Sequence, residues 1–457
     1  MINVLLVNPG RDVELAIQEP LNLGYLASYL KKQNIGVTIL DEACGQDFYD
    51  AVKQIKPDFI GFSATTLAIK RAYELSDYCR NKGITTIIGG RHVSIYPEEG
   101  LKHADYIVVG EGELALLSIV TGNEKKGIVK KDPLKNLDDL PIIDRSLIDM
   151  NFYVKTKDRF QDSYLTFVPL NTLTAGIITS RGCPYNCIFC FNSYRGYPYR
   201  FHSAKRVVDE IKYLLKEYQI QAIFFLDDNL FANRSRLIEI CNLIKQEKLS
   251  FIWGANSRVD NLDEASVIAA KEAGCKQITF GFESGSQKIL NILNKQTTVE
   301  KMQEAVALVK KHGLLVTGTF MIGNPKESKA DINLTKQFIQ NNKIDSYGIC
   351  ITTPYPGTKL FEICQTQGLL PSIDKLDWSK FAHSEFPYYL STNTLSLKEI
   401  KKAYYSLTAL RKRNDQLKII VIIRFLLFHP KKFIEYLIYS PGIIFDSLGR
   451  IIPNNKR

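Results

Sequence analysis

Cys183, Cys187 and Cys190 stand in the stretch Ser-Arg-Gly-Cys-Pro-Tyr-Asn-Cys-Ile-Phe-Cys-Phe, a C-x3-C-x2-C array. Three thiolates this close can each bind one iron of a cubic 4Fe–4S cluster and leave the fourth iron open. An open iron binds a substrate or cofactor, whereas a cluster with four Cys ligands mainly moves electrons. Zinc fits less well, because the spacing is not a common finger spacing and no fourth Cys or His lies nearby. Three ordinary thiols would leave the Gly-Cys-Pro turn and Phe189 unexplained.

Such a centre needs a scaffold that delivers polar loops to one end. From about residue 173 the chain alternates apolar runs with helical patterns. Strands are expected at Ala175–Thr179, Ala222–Leu226, Phe251–Ala255, Gln277–Gly281, Leu314–Phe320 and Tyr347–Thr352. Polar residues follow each run: the cysteine loop, Asp227-Asp228-Asn229, Asn256-Ser257-Arg258, Glu283-Ser284-Gly285, Gly323-Asn324-Pro325 and Tyr355-Pro356-Gly357. Six β/α repeats make a partial barrel, and residues just after its strands lie at the carboxyl end, where barrels do chemistry. Ser203 is placed to cap a helix whose apolar face is Val207, Val208, Ile211, Leu214 and Leu215.

Residues 1–125 form a separate unit. Strands are expected at 2–8, Val37–Leu40, Phe59–Ser63, Ile84–Gly90 and Tyr106–Gly110, with helices at 21–34, 47–55 and 67–82 between them. That alternation implies a doubly wound parallel sheet, in which ligands bind beyond the strands' carboxyl ends. Gly61, Ser63, Gly89, Gly90 and Gly110 lie at or near those ends, where a backbone can approach a flat cofactor. The fold class is therefore α/β: a doubly wound sheet, a linker over 126–170, a partial (β/α)6 barrel over 171–365 and a mainly helical extension over 366–457. Trp378–Tyr389 is aromatic and suited to lid the barrel, and Ser396–Arg413 reads as an amphipathic helix.

Composition narrows the class further. Nine cysteines, six of them scattered outside the array, argue against a disulfide framework and fit a reducing cytoplasm. The start lacks the features of a signal peptide. The net charge is +11, but within residues 411–457 ten Lys/Arg face three Asp/Glu. The excess is local, and no nucleic-acid-binding appendage is readable. The apolar run Leu417–Phe428 is too short to span a bilayer. It reads as a helix packed on the barrel, or as a basic interfacial segment that brings the protein to a membrane surface.

The array with Phe189, over about residues 170–365, resembles the radical S-adenosylmethionine (SAM) enzymes. The resemblance implies that Cys183, Cys187 and Cys190 ligate the cluster and that Phe189 packs near adenine. It implies that Asp227 and Asp228 stand where the SAM amino group is held, although the usual Gly-Gly-Glu-like turn is absent. Glu283 stands where ribose or the amino group is contacted, and Gly323 and Tyr355 stand near adenine. For Arg258 two readings stay open, the SAM carboxylate and an ion pair with Asp260.

Pro20–Leu30, Lys56-Pro57-Asp58, Gly89-Gly90-Arg91-His92 and Gly110-Glu111-Gly112-Glu113 resemble the cobalamin-binding domain found ahead of many such barrels. Ser63, Gly89, Gly90 and Gly110 are its implied contacts. The His that ligates cobalt from below in some of these domains is missing, because the first His here is His92. Together the resemblances imply a cobalamin-dependent methyltransferase acting on an unactivated carbon through a 5′-deoxyadenosyl radical. Cyclisation, coupling or rearrangement without methyl transfer, and a non-catalytic cobalamin or cluster sensor, are the alternatives. An electron donor such as flavodoxin or ferredoxin and a small-molecule or lipid substrate are the implied partners.

Overall fold

A computed structural model describes residues 2–10, 18–155, 166–168, 172–191, 198–381 and 389–410 of the chain. Its first sheet contains β1 (Asn3–Asn8), β2 (Gly36–Asp41), β3 (Phe59–Ser63), β4 (Thr85–Gly89), β5 (Tyr106–Val109) and β6 (Gly127–Lys130). All neighbours are parallel, in the order β2-β1-β3-β4-β5-β6. The chain leaves β1 for β2 on one side and returns to β3 on the other. That reversal opens a crevice beyond the carboxyl ends of β1 and β3. Side chains alternate between faces. Val4 and Leu6 pack under helices Leu21–Lys32 and Glu113–Val120, while Leu5 and Val7 pack under Phe48–Ile55 and Ile69–Asn81. Burial on both faces is why these strands read as unbroken apolar runs.

β6 falls in the stretch read from sequence as the start of the linker. It has four residues among lysines and aspartates, too few to show a period, and it pairs only with β5. Parallel pairing at a sheet edge, not an apolar pattern, makes it a strand.

The second sheet begins with β7 (Thr174–Ile177). A two-residue ribbon of β8 (Ser180–Arg181) and β9 (Arg200–Phe201) flanks the cysteine loop. β10 (Ala222–Phe225), β11 (Ile252–Ser257), β12 (Cys275–Glu283), β13 (Leu315–Ile322) and β14 (Ser346–Ile351) complete the sheet. The order β14-β13-β12-β11-β10-β7, all parallel, is a half-barrel, and each expected strand is present. Helices Ala204–Tyr218, Arg234–Gln246, Glu264–Glu272, Val299–Lys311 and Lys329–Asn341 cover its outer face around Trp253, Phe280, Phe282 and Phe320. Ser203 caps the first of these helices by accepting from the Arg206 N–H, as its position predicts. Phe167 packs against Gly254 on the inner face, where a Cβ on that glycine would lie 2.8 Å from the ring.

Beyond the barrel, helix Leu397–Ala409 docks on β14, where the Tyr347 hydroxyl donates to the Leu407 carbonyl at 2.7 Å. Of the segment Trp378–Tyr389, expected to lid the barrel, residues 382–388 lie outside the described residues. Trp378 stacks on Tyr96 and meets His92 edge-on, on the outer side of the N-terminal unit. His92 is buried there, against Thr66 and Glu99. Residues 411–457, to which the membrane contact was assigned, lie outside the described residues. Among the described residues no helix is long and apolar enough to cross a membrane.

Gly90 joins β4 to the following helix at φ +106, and a Cβ there would lie 2.5 Å from the Ala64 carbonyl oxygen. Gly90→Ala should cost about 1–3 kcal/mol. Chemical denaturation of the variant checks this, and an unchanged midpoint would contradict it.

Candidate active site

The cysteine loop is anchored by backbone before any cofactor is considered. The Ile188 N–H donates to Leu293 O at 3.0 Å, and the Leu360 N–H donates to Ile188 O at 2.9 Å. Asn294 Nδ2 donates to Asn186 O at 2.8 Å. These contacts pin the loop between helices Gln287–Ile292 and Lys359–Thr366, at the carboxyl end of the half-barrel. Cys183 and Cys187 are half-buried and Cys190 is exposed. Desolvation by the surrounding protein raises the Cys183 and Cys190 thiols, the latter to about 12, and Asp228 and the other thiols of the loop add to the rise. A cation or a metal is what would stabilise the thiolate form there. Among the described residues no three His, Cys, Asp or Glu gather tightly enough to hold one metal ion. A cluster asks for a wider set, because each thiolate takes a different iron.

The neighbouring acids divide sharply. Asp227 is buried and turned back, accepting from the Thr179 N–H at 3.2 Å, the Thr179 hydroxyl and the Ser180 hydroxyl. It braces the strand end that leads into the cysteines. Burial pushes its pKa up, against the pull of Arg236 and these donors. Asp228 is exposed beside Cys183 and Cys190 and makes no hydrogen bond or ion pair among the described residues. The surrounding protein still raises its pKa, while Arg91 lowers it and Asp227 adds to the rise.

Arg258 lies beneath the loop. Its guanidinium sits 3.6 Å from the Tyr185 ring centroid and 3.6 Å from Cys187 Sγ. It also pairs with Asp260 at 2.7 Å and donates to the Lys295 carbonyl. The ion pair with Asp260 is thus present. Glu283 ends β12 in a left-handed conformation, φ +64, at a register shift, and pairs with Lys295 at 2.8 Å. Gly281 leaves room for that pair, and Lys295 in turn faces the Phe189 ring at 5.8 Å. Gly323 (φ +79) donates to buried Glu327, whose pKa desolvation raises to about 7, and its carbonyl accepts from Ser391. Tyr355 packs against Phe381 with ring centroids 6.4 Å apart.

The carboxyl edge of the first sheet faces this loop. Arg91, just past β4, lies over the Phe191 ring at 5.7 Å and within electrostatic reach of Asp228 and Cys190. Gly357 fits between Ile95 and Phe191, where a Cβ would lie 2.7–2.8 Å from both side chains. Ser63 accepts from Asn22 at 2.7 Å, Gly110 donates to Ser94 at 3.1 Å, and around Gly89 only Val108 comes within 4 Å of a built Cβ. At Gly90 the φ of +106 and the close Ala64 backbone require glycine. The loop after β1 lies largely outside the described residues.

Buried charge joins the two units. Arg181, two residues before Cys183, pairs with Glu111 at 3.0 Å and with Glu113 at 2.6 Å. Arg200 pairs with Glu111 and donates to Leu134 O at 2.5 Å. Arg145, fully buried, pairs with Glu19 and donates to Gly176 O at 2.7 Å. Sequence reasoning missed Arg91, Arg181, Arg200 and Lys295. The one available signal was that Arg181 and Arg200 bracket the cysteine loop. The residues present fit the implied groups: three thiols for a cluster, an unpaired carboxylate beside them for an ammonium group, and an open Gly-lined edge opposite for a flat cofactor.

Comparison with known proteins agrees. Residues 177–339 match the model of the radical SAM superfamily, and residues 15–120 match that of the B12-binding domain. An uncharacterized methyltransferase of Pyrococcus horikoshii is 34% identical, over 89% of this chain and 92% of its own. An anaerobic magnesium-protoporphyrin IX monomethyl ester cyclase of Rubrivivax gelatinosus is 28% identical, over 79% of this chain and 68% of its own. The structure of the radical SAM methyltransferase TsrM from Kitasatospora setae, with cobalamin and a 4Fe–4S cluster bound, aligns over 89% of this chain and 91% of its own. Its TM-score is 0.67 at 16% identity, a likeness of fold.

Burial alone would raise the Glu113 pKa, but Arg181 outweighs it and holds the pKa below the usual value. The pair therefore contributes stability above the unfolded carboxylate's pKa and loses it as pH falls through the lower folded value. Glu113→Gln should destabilise the chain by about 3 kcal/mol at neutral pH and flatten the acid limb of its stability profile. Urea titrations across the acid range check this, and parallel profiles would contradict it.

Proposed function

Because this chain belongs to the radical SAM superfamily of enzymes and carries a B12-binding domain ahead of the barrel, we propose that it is a methyltransferase acting on an unactivated carbon. One observation carries the reading: the cysteine loop with unpaired Asp228 faces the open carboxyl edge of the B12-binding unit, with Arg91 between them. When bound, the cluster and SAM supply a 5′-deoxyadenosyl radical that abstracts hydrogen, and cobalamin supplies a transferable methyl group.

The chain's own residues bind and orient. Cys183, Cys187 and Cys190 hold the cluster. Arg258 sets positive charge beside Cys187, and its pairing with Asp260 leaves the SAM carboxylate to other groups. Asp228 receives the SAM ammonium through a charge-assisted bond. Asp227 positions the strand end through Thr179 and Ser180. Glu283 and Lys295, with Phe189 against them, wall the adenosine side, and Gly323 and Tyr355 close the end of β13 and β14. Ser63, Gly89 and Gly110 line the cobalamin edge. An external one-electron donor, such as a flavodoxin or ferredoxin, completes the system. Ring closure is the second reading, favoured by the likeness to the cyclase.

The test uses protein reconstituted anaerobically with iron, sulfide and hydroxocobalamin, desalted, then given methyl-labelled SAM, reductant and host-cell extract. Retained cobalt with 5′-deoxyadenosine and a labelled C-methyl product is expected. 5′-Deoxyadenosine without cobalt or label would replace methyl transfer with ring closure. Asp228→Asn should weaken SAM binding about tenfold, ~1.4 kcal/mol, with iron content unchanged. Wild-type affinity in equilibrium dialysis would remove Asp228 from the SAM site.

A further inference from the structure

Arg258 is held by more than its ion pair. It follows β11 directly, and its backbone N–H donates to Asn229 Oδ1 at 3.3 Å. Asn229 in turn donates to Asn261 Oδ1 at 2.7 Å, and the Tyr185 hydroxyl donates to the same oxygen at 3.2 Å. At the tip of the side chain, Nη2 donates to Asp260 Oδ2 at 2.7 Å and to the Lys295 carbonyl. Asp260 is fixed at its other oxygen by the Thr297 hydroxyl, also at 2.7 Å. The ring of Tyr185, within the cysteine loop itself, lies against the guanidinium with its centroid 3.6 Å away.

These contacts leave Nη1 facing Cys187 Sγ at 3.6 Å, an N–H···S hydrogen bond. Arg258 is 6% exposed and the Asp260 side chain 13%. Charges so far out of water are screened little. The sulfur meets a donor on one nitrogen, while the carboxylate is held on the other. Arg keeps its charge throughout the working pH range. That charge also reaches Cys183.

The potential of an iron–sulfur cluster follows its net charge, the hydrogen bonds to its sulfurs and its exposure to solvent. Adding an electron makes the cluster more negative. A donor and a positive charge at a ligand sulfur therefore favour the reduced form and raise the potential. A carboxylate close by does the reverse.

We propose that Arg258 and Asp260 together set the potential at which the cluster accepts its electron. Arg258 raises it through the hydrogen bond to the Cys187 sulfur, and Asp260 trims that rise. One electron passes from the external donor to the cluster; no bond forms or breaks at Arg258 and no proton moves there. Arg258 is thus a positioning residue that acts through Cys187. The inference rests on the cluster in the reading above, and it does not depend on whether a methyl group is transferred.

The test is an anaerobic, dye-mediated redox titration of the reconstituted full chain without SAM, following the electron paramagnetic resonance of the reduced cluster. Arg258→Gln, which removes the charge, should lower the potential by at least ~59 mV, a tenfold change in the one-electron equilibrium. Arg258→Lys, which keeps the charge, should recover part of that shift. Asp260→Asn, which keeps the shape and removes the counter-charge, should move the potential the opposite way. A merely structural ion pair would give no such opposed shifts. Where Arg258→Gln fails to take up iron, Asp260→Asn decides alone, and an unchanged or lowered potential in it overturns the proposal. Weakened SAM binding with an unchanged potential in Arg258→Gln also overturns it, and gives Arg258 to the SAM carboxylate. Unchanged potentials beside a labelled C-methyl product overturn it and leave methyl transfer standing, whereas a wild-type chain with no reducible cluster removes both.

Discussion

Arg181 and Arg200 bracket the cysteine loop, and both are held by carboxylates from beyond β5 of the other sheet. The loop cannot shift without moving these guanidinium groups, and they cannot shift without moving Glu111 and Glu113. This buried charge clamp sets the distance and angle between the two carboxyl edges. Everything placed between them inherits that geometry: the thiols, Asp228, Arg91 and the Gly89 edge. Burying such charges costs desolvation that their attraction roughly returns. The clamp therefore contributes orientation more than stability. Arg145 repeats the device on the far side, tying Glu19 of the first unit to the Gly176 carbonyl of β7.

Around the clamp, packing divides the labour. The outer face of the half-barrel is filled with rings and aliphatic side chains. The inner face is plugged at its floor by Phe167 and kept small or polar above it. The same alternation that buries Phe280, Phe282 and Phe320 outward presents Thr279, Gly281 and Thr319 inward. A rigid core and an open reaction space thus come from one periodicity. The C-terminal segment then seals the assembly from two sides, with Trp378 against the first unit and Ser391 on the carbonyls of Gly323 and Thr352.

Much of this was legible in the chain itself. Strands buried on both faces announce themselves as apolar runs, so the barrel strands and five of the six strands in the first sheet could be placed. β6 could not, because its identity comes from pairing with β5 rather than from pattern. The cysteine array was legible because its chemistry is local in sequence. Asp227 and Asp228 were not separable, since adjacent acids look alike until burial turns one toward Thr179 and leaves the other free. The clamp was hidden for a related reason. Arg181 and Glu113 are 68 residues apart, and nothing local marks them as partners.

The central claim is that the cobalamin edge and the cysteine loop are held face to face. Electron paramagnetic resonance of the full chain tests it most directly, with the cluster reduced and cobalamin in its paramagnetic cobalt(II) state. The account predicts magnetic coupling, seen as broadened or split cobalt and cluster signals, and its weakening in Arg181→Ala. Two sharp, independent signals from protein that retains both cofactors would contradict it.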